Sequence, residues 1–445
     1  MRKYFGTDGV RGVANGTLTP ELAYKLGRIG GYIITRGQKS KKFVVGRDTR
    51  LSGEMLEAAL IAGLMSVGVK VIKLGVIPTP GVAYLTRKLS AQGGVMISAS
   101  HNPFEDNGIK FFNHEGYKLT DEIELEIESL LDATDSLPRP TSEHVGSVEV
   151  GTQYTKLFID YLKSTVSNNF SGLKIVLDCA NGAATSVAPE LFTELGAKVI
   201  TIANKPSGIN INVNCGSTHP EVLQQTVIQE KADIGLAFDG DADRLIAVDK
   251  NGNIIDGDQI LYICGIALKN KGLLKNNTVV STIMSNFGFK KILNTEQINN
   301  VQTQVGDRYV LEEMIKNDYA LGGEQSGHII FLDYNTTGDG ILSGLQLVNV
   351  LVEEKKSLNK LVSPFKKYPQ LLVNVKVKDK NGWNQNQDIL NAIQTHEAEL
   401  NGNGRILVRA SGTENLIRVM AEGETEEIVT SIVNNIADVI KQQLN

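Results

Sequence analysis

Three aspartates at alternate positions, Asp239, Asp241 and Asp243, are the residues of this 445-residue chain that most strongly indicate chemistry. They directly follow the apolar run Ile234–Phe238, which is typical of a buried strand. Carboxylates this close together repel one another unless a cation binds between them. Oxygen ligands suit Mg²⁺ or another hard ion, so the spacing predicts a metal site at the end of a strand.

Two known carboxylate motifs do not fit this segment. A calcium-binding EF-hand loop needs Gly where Arg244 stands and Glu where Lys250 stands. An aspartyl-phosphate nucleophile motif needs Thr or Val at the position of Asp243. The alternative is a polar loop without a ligand at the end of a strand. In such a loop the three negative charges would repel one another with no cation to offset the repulsion.

A serine loop, Ser98–Pro103, follows a second apolar strand, Gly94–Ser98. Ligands of open α/β sheets bind at the carboxyl ends of strands, so we expect Ser100 to be exposed there on a tight loop. Lys110 offers a cation nearby. The chain has no G-x-S-x-G motif, which argues against an α/β-hydrolase, and a simple turn is the alternative.

A glycine-rich loop, Gly322–His328, follows a third strand. Its glycines let the backbone approach a ligand closely. Glu324 and Ser326 can bind sugar hydroxyls or an amine, and His328 can transfer protons near neutral pH. An ordinary Gly-rich connection is the alternative.

Two further segments carry residues suited to anions. The N-terminal Gly6–Gly12 includes Arg11 next to two glycines, although a plain ordered loop fits equally. The second segment combines hydroxyls, backbone N–H groups and two guanidinium groups into a candidate phosphate cradle, formed by Arg409, Ser411, Gly412, Thr413 and Arg418. A charged surface turn is the alternative there, and the chain has no Walker A or G-x-G-x-x-G motif.

The elements that position these loops follow an α/β rhythm. Strands and helices alternate through three cycles, which predicts three similar mixed α/β domains, and the last part predicts a smaller C-terminal α+β domain. Ser52 is the expected N-cap of a helix, and Asp132–Val145, rich in Pro, Ser and Thr, is expected to be a linker. We predict the domains at 1–150, 151–252, 253–366 and 367–445.

Composition limits the classes of function. The net charge of −5 argues against electrostatic binding to nucleic acid or to an acidic membrane surface. No apolar run is long enough to span a bilayer, and the N-terminus has no apolar signal region. The three scattered cysteines fit a reducing compartment. We therefore expect a cytoplasmic protein with neither nucleic-acid nor membrane partners.

These five segments, in this order, resemble the α-D-phosphohexomutase superfamily over essentially the whole chain. Tyr4–Gly12 and Gly323–His328 are most similar to its bacterial members that act on glucosamine phosphates. The resemblance implies four domains around a central cleft and a phosphate carried on Ser100. It also implies one Mg²⁺, bound by that phosphate and by Asp239, Asp241 and Asp243.

The resemblance assigns roles to the remaining candidates as well. Glu324 and Ser326 would read sugar hydroxyls, and the Arg409–Thr413 loop, with Arg418 beyond it, would hold the non-reacting phosphate. Lys110 is the preferred proton-transfer group, with His101 and His328 as further candidates, and Arg11 and Arg244 would stabilise charge. Asn415 stands where the family usually has Pro, which loosens the loop but leaves its donors.

The implied activity interconverts the 6- and 1-phosphates of glucosamine through a bisphosphorylated sugar. It would supply UDP-N-acetylglucosamine for cell-wall synthesis, and a homodimer is compatible with it. A phosphomannomutase or phosphoglucomutase is the nearest competing hypothesis. Two more distant hypotheses are a metal-dependent phosphatase and a non-catalytic phosphosugar-binding protein.

Overall fold

The computed structural model describes residues 3–6, 8–411 and 414–445. Residues up to 283, together with 299–362, form one compact unit, and residues 284–298 with 363–445 form a second.

The first domain is built on a seven-stranded sheet of order β1-β2-β6-β5-β3-β4-β7. Its strands are β1 (Phe5–Gly6), β2 (Gly9–Val13), β3 (Lys42–Arg47), β4 (Lys70–Val76), β5 (Gly93–Ile97), β6 (Asp106–Asn113) and β7 (Val148–Val150), and its helices are α1 (Pro20–Thr35), α2 (Gly53–Met65), α3 (Thr79–Lys88) and α4 (Asp121–Leu131). Neighbouring residues of β3 face opposite cores: Phe43 and Val45 join one apolar cluster and Val44 the other. Both faces of the sheet are therefore covered, as period-two alternation requires.

The second domain has a five-stranded sheet of order β12-β11-β10-β8-β9. Its elements are β8 (Lys174–Asp178), β9 (Lys198–Ile202), β10 (Ile234–Phe238), β11 (Leu245–Asp249), β12 (Ile254–Ile255), α5 (Thr155–Ser164), α6 (Ala188–Glu194) and α7 (Glu221–Glu230). All five residues of β10 are buried, and the strand ends where the aspartate motif begins. The turn between β11 and β12 has Gly252 in the left-handed region, which glycine adopts at no steric cost.

The third sheet has four strands in the order β14-β13-β15-β16. Its strands are β13 (Thr278–Thr282), β14 (Asn299–Thr303), β15 (Leu321–Gly323) and β16 (Ile329–Phe331), and the helices of this part of the chain are α8 (Gly257–Asn270), α9 (Phe287–Thr295), α10 (Asp307–Asn317), α11 (Gly340–Glu354) and α12 (Leu358–Val362). Asp256 and Gln259 form a capping box that starts α8. Although α9 lies between β13 and β14 in sequence, it groups with the C-terminal unit.

The C-terminal unit contains a three-stranded antiparallel sheet of order β17-β19-β18. Its further elements are β17 (Gln370–Lys376), β18 (Arg405–Ala410), β19 (Leu416–Glu422), α13 (Gln387–Leu400) and α14 (Glu426–Leu444). The apolar face of α14 packs on the sheet through Val429, Val433 and Ile436. This arrangement confirms the predicted smaller α+β domain.

Helix α2 starts directly after Ser52, as predicted, but Ser52 does not cap the helix with its side chain. Ser52 has helical backbone angles and its side chain accepts no capping hydrogen bond. Its hydroxyl instead accepts a hydrogen bond from the Asn107 amide at 2.9 Å, so it serves a tertiary contact. Within the part of the chain that the structure describes, no helix is long and apolar enough to cross a membrane.

Candidate active site

The three aspartates lie together at the end of β10. Asp239, Asp241 and Asp243 are buried, and one carboxylate oxygen from each lies within 4.8 Å of the others. Burial, and next the negative charges of Asp243 and Asp241, raise the pKa of Asp239 well above its ordinary value. Asp241 Oδ1 and Asp243 Oδ1 are buried and accept no hydrogen bond from the described residues. Buried carboxylate oxygens without donors fit a hard cation such as Mg²⁺.

Ser100 meets this cluster directly. Its hydroxyl donates to Asp239 Oδ2 at 2.6 Å, and its backbone N–H donates to Ser98 Oγ at 2.9 Å. Its backbone is left-handed, with φ of 54°. The expectation that Ser100 is exposed is wrong, because its residue surface is 1% accessible, closed in by the carboxylate loop.

Arg50 holds the serine loop through hydrogen bonds to its backbone carbonyls, and the sequence analysis missed this residue. Its guanidinium donates to the carbonyls of Ser100 and Asn102, each at 2.8 Å, and to that of Pro103. Asp48 balances the buried charge, at 2.9 Å from Arg50 Nε. A charged pair at the carboxyl end of β3, the edge where ligands bind, was the available signal.

Lys110 projects from β6 into the carboxylates. Its Nζ lies 2.9 Å from Asp241 Oδ2 and 2.9 Å from Asp8 Oδ2. Burial would lower the pKa of Lys110, but Asp241 and Asp8 raise it overall. Thr79, which the sequence analysis also missed, donates its hydroxyl to Asp241 Oδ2 at 2.6 Å. The cation predicted near Ser100 is therefore fully buried and ion-paired.

His101 and Arg244 lie beside the serine hydroxyl. His101 Nδ1 is 3.5 Å from Ser100 Oγ and 3.0 Å from an Arg244 Nη atom. Burial, followed by the charges of Arg244 and Arg11, lowers the pKa of His101. The Arg244 backbone N–H donates to Asp239 Oδ1 at 3.2 Å. Arg11 pairs with Asp8 through its Nη2.

The glycine-rich loop reaches the same place from the third domain. His328 Nδ1 lies 3.6 Å from Asp243 Oδ2. Burial lowers the pKa of His328, but the charge of Asp243 raises it, and the pKa is raised overall. Glu324 accepts the Gly306 N–H at 3.1 Å, whereas Ser326 is exposed. A Cβ on Gly327 would lie 2.1 Å from the Leu245 carbonyl oxygen, so only glycine permits this approach.

Several of these groups line a cavity of about 430 Å³, large enough for a sugar phosphate. Its charged and polar lining comes from all three α/β domains and comprises Asp8, Arg11, Asp243, Arg244, Asp307, Glu324 and His328. Another cavity of similar volume, between α1 and α4, is lined mainly by apolar atoms and contains none of the predicted residues.

The predicted phosphate loop lies in the C-terminal unit. Arg409 and Arg418 are directly opposite each other in the β18–β19 ladder. Ser411 Oγ accepts the Glu414 N–H at 3.3 Å, and Lys380 Nζ donates to the Ser411 carbonyl at 2.7 Å. Lys380 is a cation that the sequence analysis missed. Gly412 and Thr413 lie outside the described residues.

Comparison with known proteins defines the class of protein. Phosphoglucomutase/phosphomannomutase family profiles match α/β/α domain I at residues 2–138, domain II at 154–252, domain III at 256–368 and the C-terminal domain at 372–439. The chain therefore belongs to the phosphoglucomutase/phosphomannomutase family.

Curated relatives narrow the group. Phosphoglucosamine mutase of Brevibacillus brevis is 61% identical, with all of both chains covered. Phosphoglucosamine mutase of Geobacillus thermodenitrificans is 60% identical over all of this chain and 99% of its own. These relatives confirm the prediction of a phosphohexomutase isomerase of the phosphoglucosamine mutase group.

Solved structures confirm the fold class. A phosphoglucomutase/phosphomannomutase family protein from Burkholderia thailandensis matches with a TM-score of 0.82 at 23% identity, covering 100% of this chain and 99% of that one. Aspergillus fumigatus N-acetylphosphoglucosamine mutase, in complex with GlcNAc-6P and magnesium, matches with a TM-score of 0.68 at 18% identity, covering 100% and 96%.

Proposed function

We propose that this chain interconverts glucosamine 6-phosphate and glucosamine 1-phosphate through a phosphate on Ser100 and a bisphosphorylated sugar. The 2.6 Å contact between Ser100 Oγ and Asp239 carries the proposal, because it places a nucleophilic hydroxyl in a cluster of metal-ligand carboxylates. The full-length likeness to enzymes named phosphoglucosamine mutase supports the choice of sugar.

Asp239, Asp241 and Asp243 would bind one Mg²⁺ together with the phosphate carried on Ser100. When bound, Mg²⁺ neutralises phosphate charge and so favours phosphoryl transfer. Asp239 also accepts a hydrogen bond from the Ser100 hydroxyl, and this bond orients the serine oxygen. Thr79 and Lys110 orient Asp241 from the other side.

Proton transfer and charge stabilisation fall to the groups around the hydroxyl. Lys110 is the preferred acid or base, with His101, 3.5 Å from Ser100 Oγ, and His328 as further candidates. Arg11 Nε and Arg244 Nε are buried without hydrogen-bond partners among the described residues. Such guanidinium donors suit phosphate oxygens that carry charge during transfer.

Substrate binding divides among the later loops. Glu324 and Ser326 would bind sugar hydroxyls, while Arg409, Ser411, Gly412, Thr413 and Arg418 would bind the phosphate that does not react. We assign the serine loop to a domain at 1–150, the metal loop to 151–252, the sugar loop to 253–366 and the phosphate loop to 367–445. Since the bisphosphate must react at either end, one phosphate cradle would serve both orientations.

A substrate panel tests the function. We expect kcat/KM for glucosamine phosphate to exceed that for glucose and mannose phosphates by about tenfold or more, as hydrogen-bonded sites discriminate. Equal or faster turnover of mannose 1-phosphate would contradict the choice of sugar. Net release of inorganic phosphate would indicate a phosphatase, and tight binding without turnover would indicate a binding protein. Light scattering on the same sample tests whether the chain is a homodimer.

A further inference from the structure

Six side chains beside the active-site cavity form a closed ring in which acids alternate with bases, and four of them line the cavity. In order, the ring consists of Asp8, Lys110, Asp243, His328, Asp307 and Lys118. Lys110 Nζ lies 2.9 Å from Asp8 Oδ2 and 3.9 Å from Asp243 Oδ2. His328 lies 3.6 Å from Asp243 and, through Nε2, 3.7 Å from Asp307 Oδ2.

Lys118 closes this ring with its two shortest contacts. Its Nζ is 2.5 Å from Asp8 Oδ1 and 2.5 Å from Asp307 Oδ2. Asp8 comes from the N-terminal loop and Asp307 from the first residue of α10, so one ammonium group joins the first and third domains. Its side chain is only 18% exposed, which strengthens both interactions relative to surface pairs.

Lys118 lies outside the active-site cavity, on the far side of Asp8 and Asp307 from Lys110 and His328 in the ring. It lines a neighbouring cavity of about 290 Å³, whose wall it shares with Asp307 and His328. Its direct contacts toward the site are the carboxylates of Asp8 and Asp307, and these can orient the groups next to them.

We infer that Lys118 is a positioning residue that fixes Lys110 through Asp8 and His328 through Asp307. Without its charge, Asp8 and Asp307 would repel each other, and each would carry its basic partner away from the reacting atoms. A displacement of about 1 Å is enough to cost a large factor in rate. This inference rests on the proposed function, because Lys110 and His328 are candidates for proton transfer only in that reaction.

Three variants test the inference by kcat, KM and melting temperature. We expect Lys118→Met to lower kcat by about tenfold or more, with KM changed less than about threefold. Lys118→Arg, which can still bridge two carboxylates, should recover most of the kcat. Lys73→Met is the matched control, because Lys73 also pairs with a buried carboxylate of the first domain, Glu57, at 2.7 Å but away from the site. Its kcat should stay near the wild-type value.

Combining Lys118→Met with Asp307→Asn keeps the inference testable if Lys118→Met alone folds poorly. The double variant Lys118→Met/Asp307→Asn removes opposite charges together, and its kcat should be no lower than that of the worse single variant. A kcat of Lys118→Met within about twofold of wild type, or an equal loss in Lys73→Met, would overturn the inference. Fully additive losses in the double variant would do the same. If the wild-type protein converts a different hexose phosphate, the proposed function fails, and the same comparison on that substrate still tests Lys118.

Discussion

Ser100 Oγ and Asp239 Oδ2 lie 2.6 Å apart although 139 residues separate them in sequence. Ser100 follows β5 and Asp239 follows β10. Each strand ends at the edge of its own sheet where ligands bind in open α/β folds. The contact therefore joins the first two domains at the proposed reacting atom. It also gives the buried carboxylate cluster its only described hydrogen-bond donor from the serine loop.

Replacing Ser100 should remove the chemistry and preserve the fold. We expect Ser100→Ala to lose about a thousandfold or more in kcat, because no other described hydroxyl of the serine loop reaches Asp239. Intact mass should show phosphate on the wild-type chain and none on the variant. Ser129→Ala, on the exposed surface of α4, is the control. Retention of mutase activity by Ser100→Ala would refute the phosphoserine route.

Asp239→Asn should separate metal binding from stability. Its removal relieves repulsion among three buried carboxylates, so the melting temperature in a chelator should stay constant or rise. The rise in melting temperature that Mg²⁺ gives the wild-type protein should be absent, because one ligand is lost. Asp160→Asn, on the surface of α5, should keep that rise. An unchanged Mg²⁺ response in Asp239→Asn would exclude the cluster as the metal site.

Arg50→Lys tests the support of the serine loop. Lysine keeps the charge beside Asp48 but cannot donate to the carbonyls of Ser100, Asn102 and Pro103 together. We expect a loss of about 1–3 kcal/mol in unfolding free energy, because hydrogen bonds from a charged donor are lost. The loss is limited because Asn212 still donates to the Ser100 and Asn102 carbonyls and the Asp106 N–H to that of Pro103. Thermal unfolding of this variant and of Arg139→Lys, a surface control, measures the difference. Equal stability of the two variants would show that the loop does not depend on Arg50.

Arg418→Gln tests the cradle in the C-terminal unit. Like charges directly opposite in an antiparallel pair destabilise the sheet, so we expect the variant to be as stable as wild type without phosphate. Added inorganic phosphate should raise the melting temperature of the wild-type protein and of Lys441→Gln, on α14, more than that of Arg418→Gln. KM for the sugar phosphate should rise about tenfold or more in Arg418→Gln. An unchanged KM would place the phosphate elsewhere.

Asp178 makes stability depend on pH. Burial raises the pKa of Asp178 to about 6, and the N–H groups of Gly216 and Ala180 offset this only in part. Because the folded pKa lies above the unfolded one, Asp178 should contribute stability that increases as the pH falls from about 7 to about 4. The gain should be on the order of 3 kcal/mol.

Asp178→Asn removes this titration. The melting temperature of the variant, relative to wild type at the same pH, should therefore fall steadily between about pH 7 and pH 4. A relative melting temperature that stays constant over that range would contradict the raised pKa. Any fixed cost of the amide in place of the carboxylate shifts all points equally and leaves this trend intact.

The metal loop and the fold class could be predicted from sequence because their signals are local. Asp239, Asp241 and Asp243 directly follow an apolar strand, and the helix–strand rhythm spans whole domains. The place of Arg50 near the site could have been predicted from its position after β3, but its carbonyl partners could not, because Ser100 and Asn102 are some 50 residues away in sequence. Ser52 occupies the predicted N-cap position, but its missing capping hydrogen bond could not be predicted, because its hydroxyl contacts the distant Asn107. For Arg50 and Ser52, tertiary contacts decided the hydrogen-bond partners.

The left-handed backbone at Ser100 limits which amino acid can carry the hydroxyl. A β-branched side chain rarely tolerates φ of 54°, because its second γ-substituent crowds the backbone. Threonine has the same nucleophilic oxygen, yet it would have to change the backbone of a loop that Arg50 and Asn212 hold by hydrogen bonds to the Ser100 carbonyl. The main-chain conformation, and not the reactivity of the alcohol, therefore excludes threonine as a phosphate carrier at this position.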